Sequence, residues 1–384
     1  MRERNSRIKE FYKLSRDERL NLLRKFAGLS EQDLLLLNLK DNLEFGVAEQ
    51  MIENMISVFP VPLGLATNFI INGKDYLVPL ATEEASVIAA ASNAAKLART
   101  CGGFTASVSR SVMIGQVHVL NITNISQAKQ NIEEHKTEIL EFANAQDSVL
   151  VNLGGGAFDL NIREIESISL GKVLVLHILV DVKDAMGANV VNTMCEAIAP
   201  VIEKLTCGTV LLKILSNLAV NRVVKARAIW SKEELGSDLI NKIIQANEIA
   251  KIDIFRAITH NKGIMNGIDA VCLATGNDFR AIESGVHGYA AMHNSYKPLT
   301  EYSKNESGNL VGTIEIPLVV GIVGGATKNN PFAKLCLKIL DVKSASDLAQ
   351  IIASVGLAQN FAALKALIGE GIQKGHMRLH LRSK

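Results

Sequence analysis

Two adjacent glutamates, Glu83 and Glu84, follow a proline-bounded apolar run and precede a segment of alanine and serine from Ala85 to Ala98. Acidic side chains at a helix start are favoured by the positive end of the helix dipole, whatever else they do. In alanine-rich surroundings desolvation would also lift a carboxyl pKa and let the acid donate a proton near neutral pH. Farther along, THNKGIMNGID (Thr259 to Asp269) is followed closely by ATGND (Ala274 to Asp278). Lys262, read as lying in a glycine-rich polar loop beside a carboxylate, could stabilise negative charge growing on an oxygen, with the carboxylate holding the ammonium in place. A solvated surface lysine would give the same local pattern. Near the end, EGIQKGHM places His376 after Gly375. There a histidine either bonds the last carbonyls of a helix or serves as an acid for a thiolate or alkoxide.

A different chemistry is encoded where VLVLHILVDV, Val173 to Val182, runs into DAMGAN, Asp184 to Asn189, and then a helix from about Val190 to Leu205. The first N–H groups of a helix lack partners and sit at the positive dipole end, so a strand, a glycine turn and a helix start make a phosphate site that suits a dinucleotide. An ordinary strand-to-helix turn reads the same way. Neither GGGAFD at Gly154 nor GIVGGA at Gly321 has the GxGxxG spacing, so a doubly wound cofactor domain is not supported.

The elements that must position these groups are legible in part. Ser15 and Glu18 have capping-box spacing before Leu20, Leu22, Leu23 and Phe26, Gly28 stops that helix, and Ser30 with Asp33 starts a second one over Leu34 to Leu39. Asn72-Gly73 between β-prone runs predicts a hairpin. The small residues from Ala85 to Ala98 predict a central helix that other backbone approaches closely. From about Ser111 come a strand over Gly115 to Ile122, an amphipathic helix over Ser126 to Ala145, a turn at Gly154 to Gly156, alternating residues to Ile168, and the strand from Val173. This order predicts a small inserted α/β domain of split βαβ type with helices on one face of an antiparallel sheet. From about Leu211 the chain is expected to return to helices, including Lys232 to Ile252 and Ser346 to Met377.

Composition narrows the classes. At roughly 150 residues per domain, 384 residues predict two domains, or three. Forty-one basic against 39 acidic side chains leave a net charge of +2, too little to draw in nucleic acid or an anionic membrane. With 48% hydrophobic and 21% charged residues the chain reads as globular rather than disordered. No run approaches the roughly 18 consecutive apolar residues of a membrane span; Val173 to Val182 and Ile316 to Ala326 are short and interrupted. The start, MRERNSRIKE, is charged and not followed by an apolar segment, so a cytoplasmic protein is expected. Five scattered cysteines without CxxC or CxxH spacing speak against disulfides and a zinc site, and no metal is expected.

Taken together the motifs resemble class II 3-hydroxy-3-methylglutaryl-CoA (HMG-CoA) reductase. The strings that carry this are ENMIS at Glu53, EEAS at Glu83, DAMGANVVNTMCEA at Asp184, LSNLA at Leu215, THNKGIMNGID at Thr259, ATGNDFRA at Ala274, GTIEIP at Gly312, GGATK at Gly324, GLAQN at Gly356 and EGIQKGHM at Glu370. Each is weak alone; in this order along nearly the whole chain they are specific. The resemblance implies a two-step, nicotinamide-dependent reduction of HMG-CoA to mevalonate and CoA, or the reverse oxidation. It implies an α/β (α+β) fold with a large helical substrate domain, residues 1–110 and 215–375, and an inserted small ferredoxin-like, non-Rossmann cofactor domain, residues 111–214.

By the same resemblance Glu84 is the proton donor, Lys262 the oxyanion stabiliser, Asp278 the carboxylate that orients Lys262, and His376 the acid that protonates the departing CoA thiolate. Ser86, Asn217, Arg256, Asn266 and Gln359 match positions that hold the HMG moiety, Arg256 as a fork for its free carboxylate. Asp184, Ala185, Met186, Gly187, Ala188, Asn189 and Asn192 match the dinucleotide turn. Asp147 matches a carboxylate that bonds the ribose 2′-OH and repels a 2′-phosphate, so NAD(H) is favoured over NADP(H). A homodimer, or a larger assembly of dimers with active sites between subunits, is implied, with ENMIS near the contact.

Three positions depart from the pattern. Residues 376–384 read as the start of a truncated C-terminal flap, Ala85 stands where the family often has proline, and Tyr12 stands where an arginine contacts CoA phosphate, with Lys13 as a substitute. A catalytically idle CoA-thioester-binding protein of the same fold is the competing reading, and an oxidoreductase for a different acyl-CoA is a third. Retention of Glu84, Lys262, Asp278 and His376 argues against the first, and Ser86, Asn217 and Arg256 against the second.

Overall fold

A computed structural model describes residues 5–38, 43, 45–292 and 295–369. The chain divides into two units, one of residues up to Val108, Val224–Ile316 and from Ile322 onward, the other of Ser109–Val223 and Pro317–Gly321.

In the first unit the chain begins with α1 (Arg16–Ala27), α2 (Glu31–Asn38) and α3 (Phe45–Glu49). The capping box forms: the Ser15 hydroxyl accepts from the Glu18 N–H at 3.3 Å and the Glu18 carboxylate accepts from the Ser15 N–H at 2.7 Å. Gly28, with φ of 66°, ends α1. Strands β1 (Leu63–Ile71) and β2 (Lys74–Ala81) pair antiparallel through Ile71 and Lys74, and the intervening Asn72 and Gly73 both have positive φ, as the tight turn requires. Helix α4 (Val87–Arg99) buries Ala91, Ala94, Ala95 and Ala98, whose lack of bulk brings its backbone close to β1. It starts two residues later than the alanine run predicts, because Ser86 is left-handed. After α4 comes β3 (Phe104–Val108).

The smaller unit contains β4 (Val112–Leu120), α5 (Ile125–Glu134), α6 (Lys136–Asn144), α7 (Ser148–Asn152), β5 (Gly156–Ser167), β6 (Gly171–Asp181), α8 (Ala188–Thr206) and β7 (Thr209–Ser216). Its antiparallel sheet has the order β5-β6-β4-β7, the ferredoxin-like arrangement of a split βαβ unit. Met113, Val117, Ile132, Ile139, Leu176, Ile178 and Ile198 fill the layer between sheet and helices. The single helix expected over 126–145 is two, broken at His135. Gly115 lets α8 approach β4, since a Cβ there would lie 2.4 Å from Cys195 Sγ.

The late chain supplies β8 (Val223–Trp230), α9 (Lys232–Leu235), α10 (Ser237–Ile252), α11 (Ile254–Ala274), α12 (Phe279–Ala290), β9 (Thr300–Lys304), β10 (Leu310–Pro317), α13 (Gly325–Asn329), α14 (Pro331–Leu340) and α15 (Ala345–Ile368). The expected return to helices at Leu211 is wrong: β7 and β8 come first, and β8 joins β3, β9 and β10 in a six-stranded sheet of order β2-β1-β3-β8-β10-β9. Against this sheet pack α4 and α15, with Trp230 stacked 4.0 Å from Phe361 and its indole N–H donating to the Ala94 carbonyl at 3.1 Å. Among the described residues α15 is the one helix long and apolar enough to be a candidate span, although polar residues interrupt its apolar run in the sequence. By length and composition it could cross a membrane, yet 67% of its most apolar window is buried within the protein, as in a core helix.

Candidate active site

Lys262 stands on α11, a 21-residue helix whose start is capped by Asp253 accepting from the Phe255 N–H at 3.0 Å. The HNKGIMNGID segment is therefore helical, not a loop, and Gly267 in it serves packing. A Cβ on Gly267 would lie 3.1 Å from both Gln359 Cβ and Val355 Cγ1 of α15, so the two helices meet where glycine leaves room. Spacings of four and three place Lys262, Asn266 and Asp269 along one face of α11.

Glu84 lies in the turn between β2 and α4, its N–H donating to the Thr82 hydroxyl at 3.2 Å. Two residues on, Ser86 adopts φ of 81° and ψ of −25° with no side-chain cap, a conformation that costs a non-glycine residue energy and that clusters at functional sites. This turn brings Glu84 Oε2 to 3.5 Å from Lys262 Nζ. Their side chains are 39% and 64% exposed, so the apolar burial expected around Glu84 is not found among the described residues.

Asp278 caps α12, accepting from the Arg280 and Ala281 N–H groups at 3.1 and 3.2 Å, and is ion-paired with Arg280 at 3.4 Å. Arg256, in the first turn of α11, is half-buried; burial pushes its pKa down and Asp253 pulls it up. Gln359 is buried on α15, and its Oε1 has no hydrogen-bond partner among the described residues. Asn217, expected in the large domain, follows β7 in the smaller unit and is exposed. His376 lies outside the described residues.

One cluster was missed from sequence. Glu283 and His287, one turn apart on α12, are 2.7 Å apart, and His287 Nδ1 is 2.6 Å from the Tyr296 hydroxyl. Asp269 adjoins Glu283, and burial first, then that neighbouring carboxyl, push its pKa up to about 8. Hydrogen bonding to His287 is the main cause that holds Glu283 low, and the charge of Lys262 adds to it. The two carboxyls titrate as a pair, with burial and the neighbouring charge favouring the proton on Asp269 and the His287 hydrogen bond favouring an ionised Glu283. The spacings of Asp269 from Lys262 and of Glu283 from His287 were the signals available.

In the smaller unit β6 ends at Asp181, and the turn reaches α8 through Gly187, which has φ of 100° and whose Cβ would fall 2.6 Å from Val182 Cγ1. Among the described residues no side-chain cap bonds the start of this 19-residue helix, the arrangement in which first-turn N–H groups can meet a phosphate. Asn192 Oδ1 accepts from the Leu215 N–H at 2.9 Å, fixing α8 against β7. Asp147 caps α7, accepting from the Leu150 N–H at 2.9 Å through Oδ1.

An uncapped helix start on a ferredoxin-like sheet and a lysine–carboxylate pair in a separate unit are the parts of a non-Rossmann oxidoreductase. Residues 15–381 match the family profile described as hydroxymethylglutaryl-coenzyme A reductase. The chain is 56% identical over 383 residues to the 3-hydroxy-3-methylglutaryl-coenzyme A reductase of Archaeoglobus fulgidus, covering 100% of this chain and 87% of that protein. It is similar to the Streptococcus pneumoniae enzyme of the same name, with a TM-score of 0.91 and 43% identity over 94% of this chain and 99% of that one. It is also similar to the class II S. pneumoniae reductase bound to NADPH, with a TM-score of 0.90, 43% identity and the same coverage. The chain belongs to the hydroxymethylglutaryl-coenzyme A reductase family. Its activity is that of a nicotinamide-dependent HMG-CoA reductase, and the idle-binder reading has no support.

Proposed function

We propose that Lys262, Glu84, Asp278 and His376 divide the chemistry of converting HMG-CoA to mevalonate and CoA. A nicotinamide dinucleotide held by Asp184–Asn189 and Asn192 supplies hydride in each of the two reductions. Lys262 stabilises the oxyanion that grows on the thioester carbonyl, an interaction stronger in the transition state than with the neutral carbonyl. The resulting hemithioacetal releases CoA as a thiolate, which His376 protonates, and leaves an aldehyde. Glu84 gives the proton that completes the alcohol when the aldehyde is reduced, and Asp278 orients Lys262. Ser86, Arg256, Asn266, Gln359 and Asn217 hold the HMG moiety, Arg256 through its carboxylate.

The single observation that supports this division is the Lys262–Glu84 contact at 3.5 Å, made by residues distant in sequence and joined through a strained turn. Its test is steady-state turnover of Glu84→Gln and Lys262→Ala against the wild type with HMG-CoA and reduced cofactor. Asp147 supports a preference for NADH, because its Oδ2 is left by the cap to meet a ribose hydroxyl and its charge opposes a 2′-phosphate. The pneumococcal neighbour is bound to NADPH, so the preference is decided by comparing the two cofactors directly. A homodimer through the segment around ENMIS is supported by Ile56 and Phe59, 92% and 91% exposed within one chain.

A further inference from the structure

Arg222 is 2% exposed, one of the largest fully buried side chains of the protein, and it lies outside every motif described above. Its Nη1 donates to the carbonyls of Ala185 at 3.2 Å and Met186 at 3.1 Å. Its Nη2 donates to Ala185 again at 3.2 Å and to the carbonyl of Val320. A buried guanidinium is costly unless its donors are satisfied, so carbonyls that satisfy it are held firmly in return. The fields of Asp181 and Asp184 oppose the effect of burial, leaving a pKa of about 10 and a charged side chain at neutral pH.

Two of the three carbonyls belong to the turn that feeds α8, and the third to the short strip Pro317–Gly321 beneath it. Gly321 sits directly against the turn, where a Cβ would fall 2.5 Å from the Met186 nitrogen and 2.9 Å from the Ala185 carbonyl carbon. In a trans peptide the N–H points opposite to the carbonyl, so with the Met186 oxygen turned to Arg222 the Gly187 N–H is sent away from the guanidinium.

We infer that Arg222 is a positioning residue for the nicotinamide dinucleotide: its fork clamps the backbone of Ala185 and Met186 onto Val320 and so aims the N–H groups at the start of α8. This rests on the reading of that turn as the cofactor site. The clamp requires a planar fork; lysine keeps the charge but presents it at one nitrogen, and methionine removes it.

The test uses the full chain carrying Arg222→Lys, Arg222→Met or Arg222→Ala, with affinity for NADH and NADPH and affinity for HMG-CoA measured separately beside kcat and KM. The expected result is a KM and dissociation constant for the cofactor raised about tenfold or more in Arg222→Met, a smaller rise in Arg222→Lys, and HMG-CoA affinity within about twofold of wild type. In Arg222→Ala, added ethylguanidinium is expected to restore part of the cofactor affinity. Unchanged cofactor affinity in folded Arg222→Lys and Arg222→Met, or an equal loss of both affinities with no rescue, overturns the inference. A Gly187→Val variant that binds cofactor like wild type instead overturns the reading of the turn itself.

Discussion

The ammonium of Lys262 lies 3.5 Å from Oε2 of Glu84 although the two residues are 178 positions apart in the chain. An ion pair this exposed contributes little to folding, about 1 kcal/mol or less. On the proposed division of roles, this geometry would place both groups beside a substrate oxygen.

Glu84→Gln is accordingly expected to leave thermal stability near wild type while lowering kcat by about 10²- to 10⁴-fold, the usual worth of a positioned acid. HMG-CoA affinity should change little. A parallel loss of melting temperature and turnover would mean that Glu84 is structural.

The proton held by Asp269 gives a signed pH dependence. Its folded pKa of about 8 stands above the ordinary 3.8, so the stabilisation is complete below about pH 4 and is lost as pH rises through 8. Asp269→Asn removes the ionisation, and its melting temperature relative to wild type should improve from pH 5 to about pH 8 and level off above it. A difference that does not vary with pH would show that Asp269 ionises normally.

Helix packing at Gly267 predicts a stability loss. Gly267→Ala places a methyl group 3.1 Å from Gln359 Cβ and Val355 Cγ1 and 3.3 Å from the Val355 carbonyl, contacts with little freedom to yield. The expected cost is about 1–3 kcal/mol in denaturant unfolding. A variant as stable as wild type would mean that α11 and α15 separate easily.

Asp147→Asn should shift cofactor choice toward NADPH, read as the ratio of kcat/KM for the two cofactors. Its cap to Leu150 survives the change, since asparagine caps helices nearly as well as aspartate. An unaltered ratio would remove Asp147 from cofactor selection.

Local signals were legible where chemistry and backbone agree. Ser15 with Glu18 and Asn72 with Gly73 stand as their short-range patterns predict, because a cap and a tight turn are settled within four residues. The strand character of Thr209–Ser216 was hidden, since Leu211, Leu212 and Ile214 are exposed apolar residues without simple alternation. In Val223–Trp230 the buried positions do alternate, but three of them are small or β-branched and leave a weak pattern. The glycines around Lys262 suggest a loop from sequence because the reason for Gly267, the close approach of α15, lies in a segment about ninety positions away. Glu84 and Lys262 could be singled out by residue type, whereas the Asp269–Glu283–His287 cluster needed the fold to join two helices.

The most direct test is single-turnover and steady-state reduction of HMG-CoA by Lys262→Ala, followed through nicotinamide absorbance, with folding and HMG-CoA binding verified on the same sample. The expected outcome is a kcat lowered by about 10²- to 10³-fold or more with substrate still bound, as befits a lost oxyanion donor. A folded Lys262→Ala protein that turns over HMG-CoA at the wild-type rate would contradict the assignment of Lys262 and the mechanism built on it.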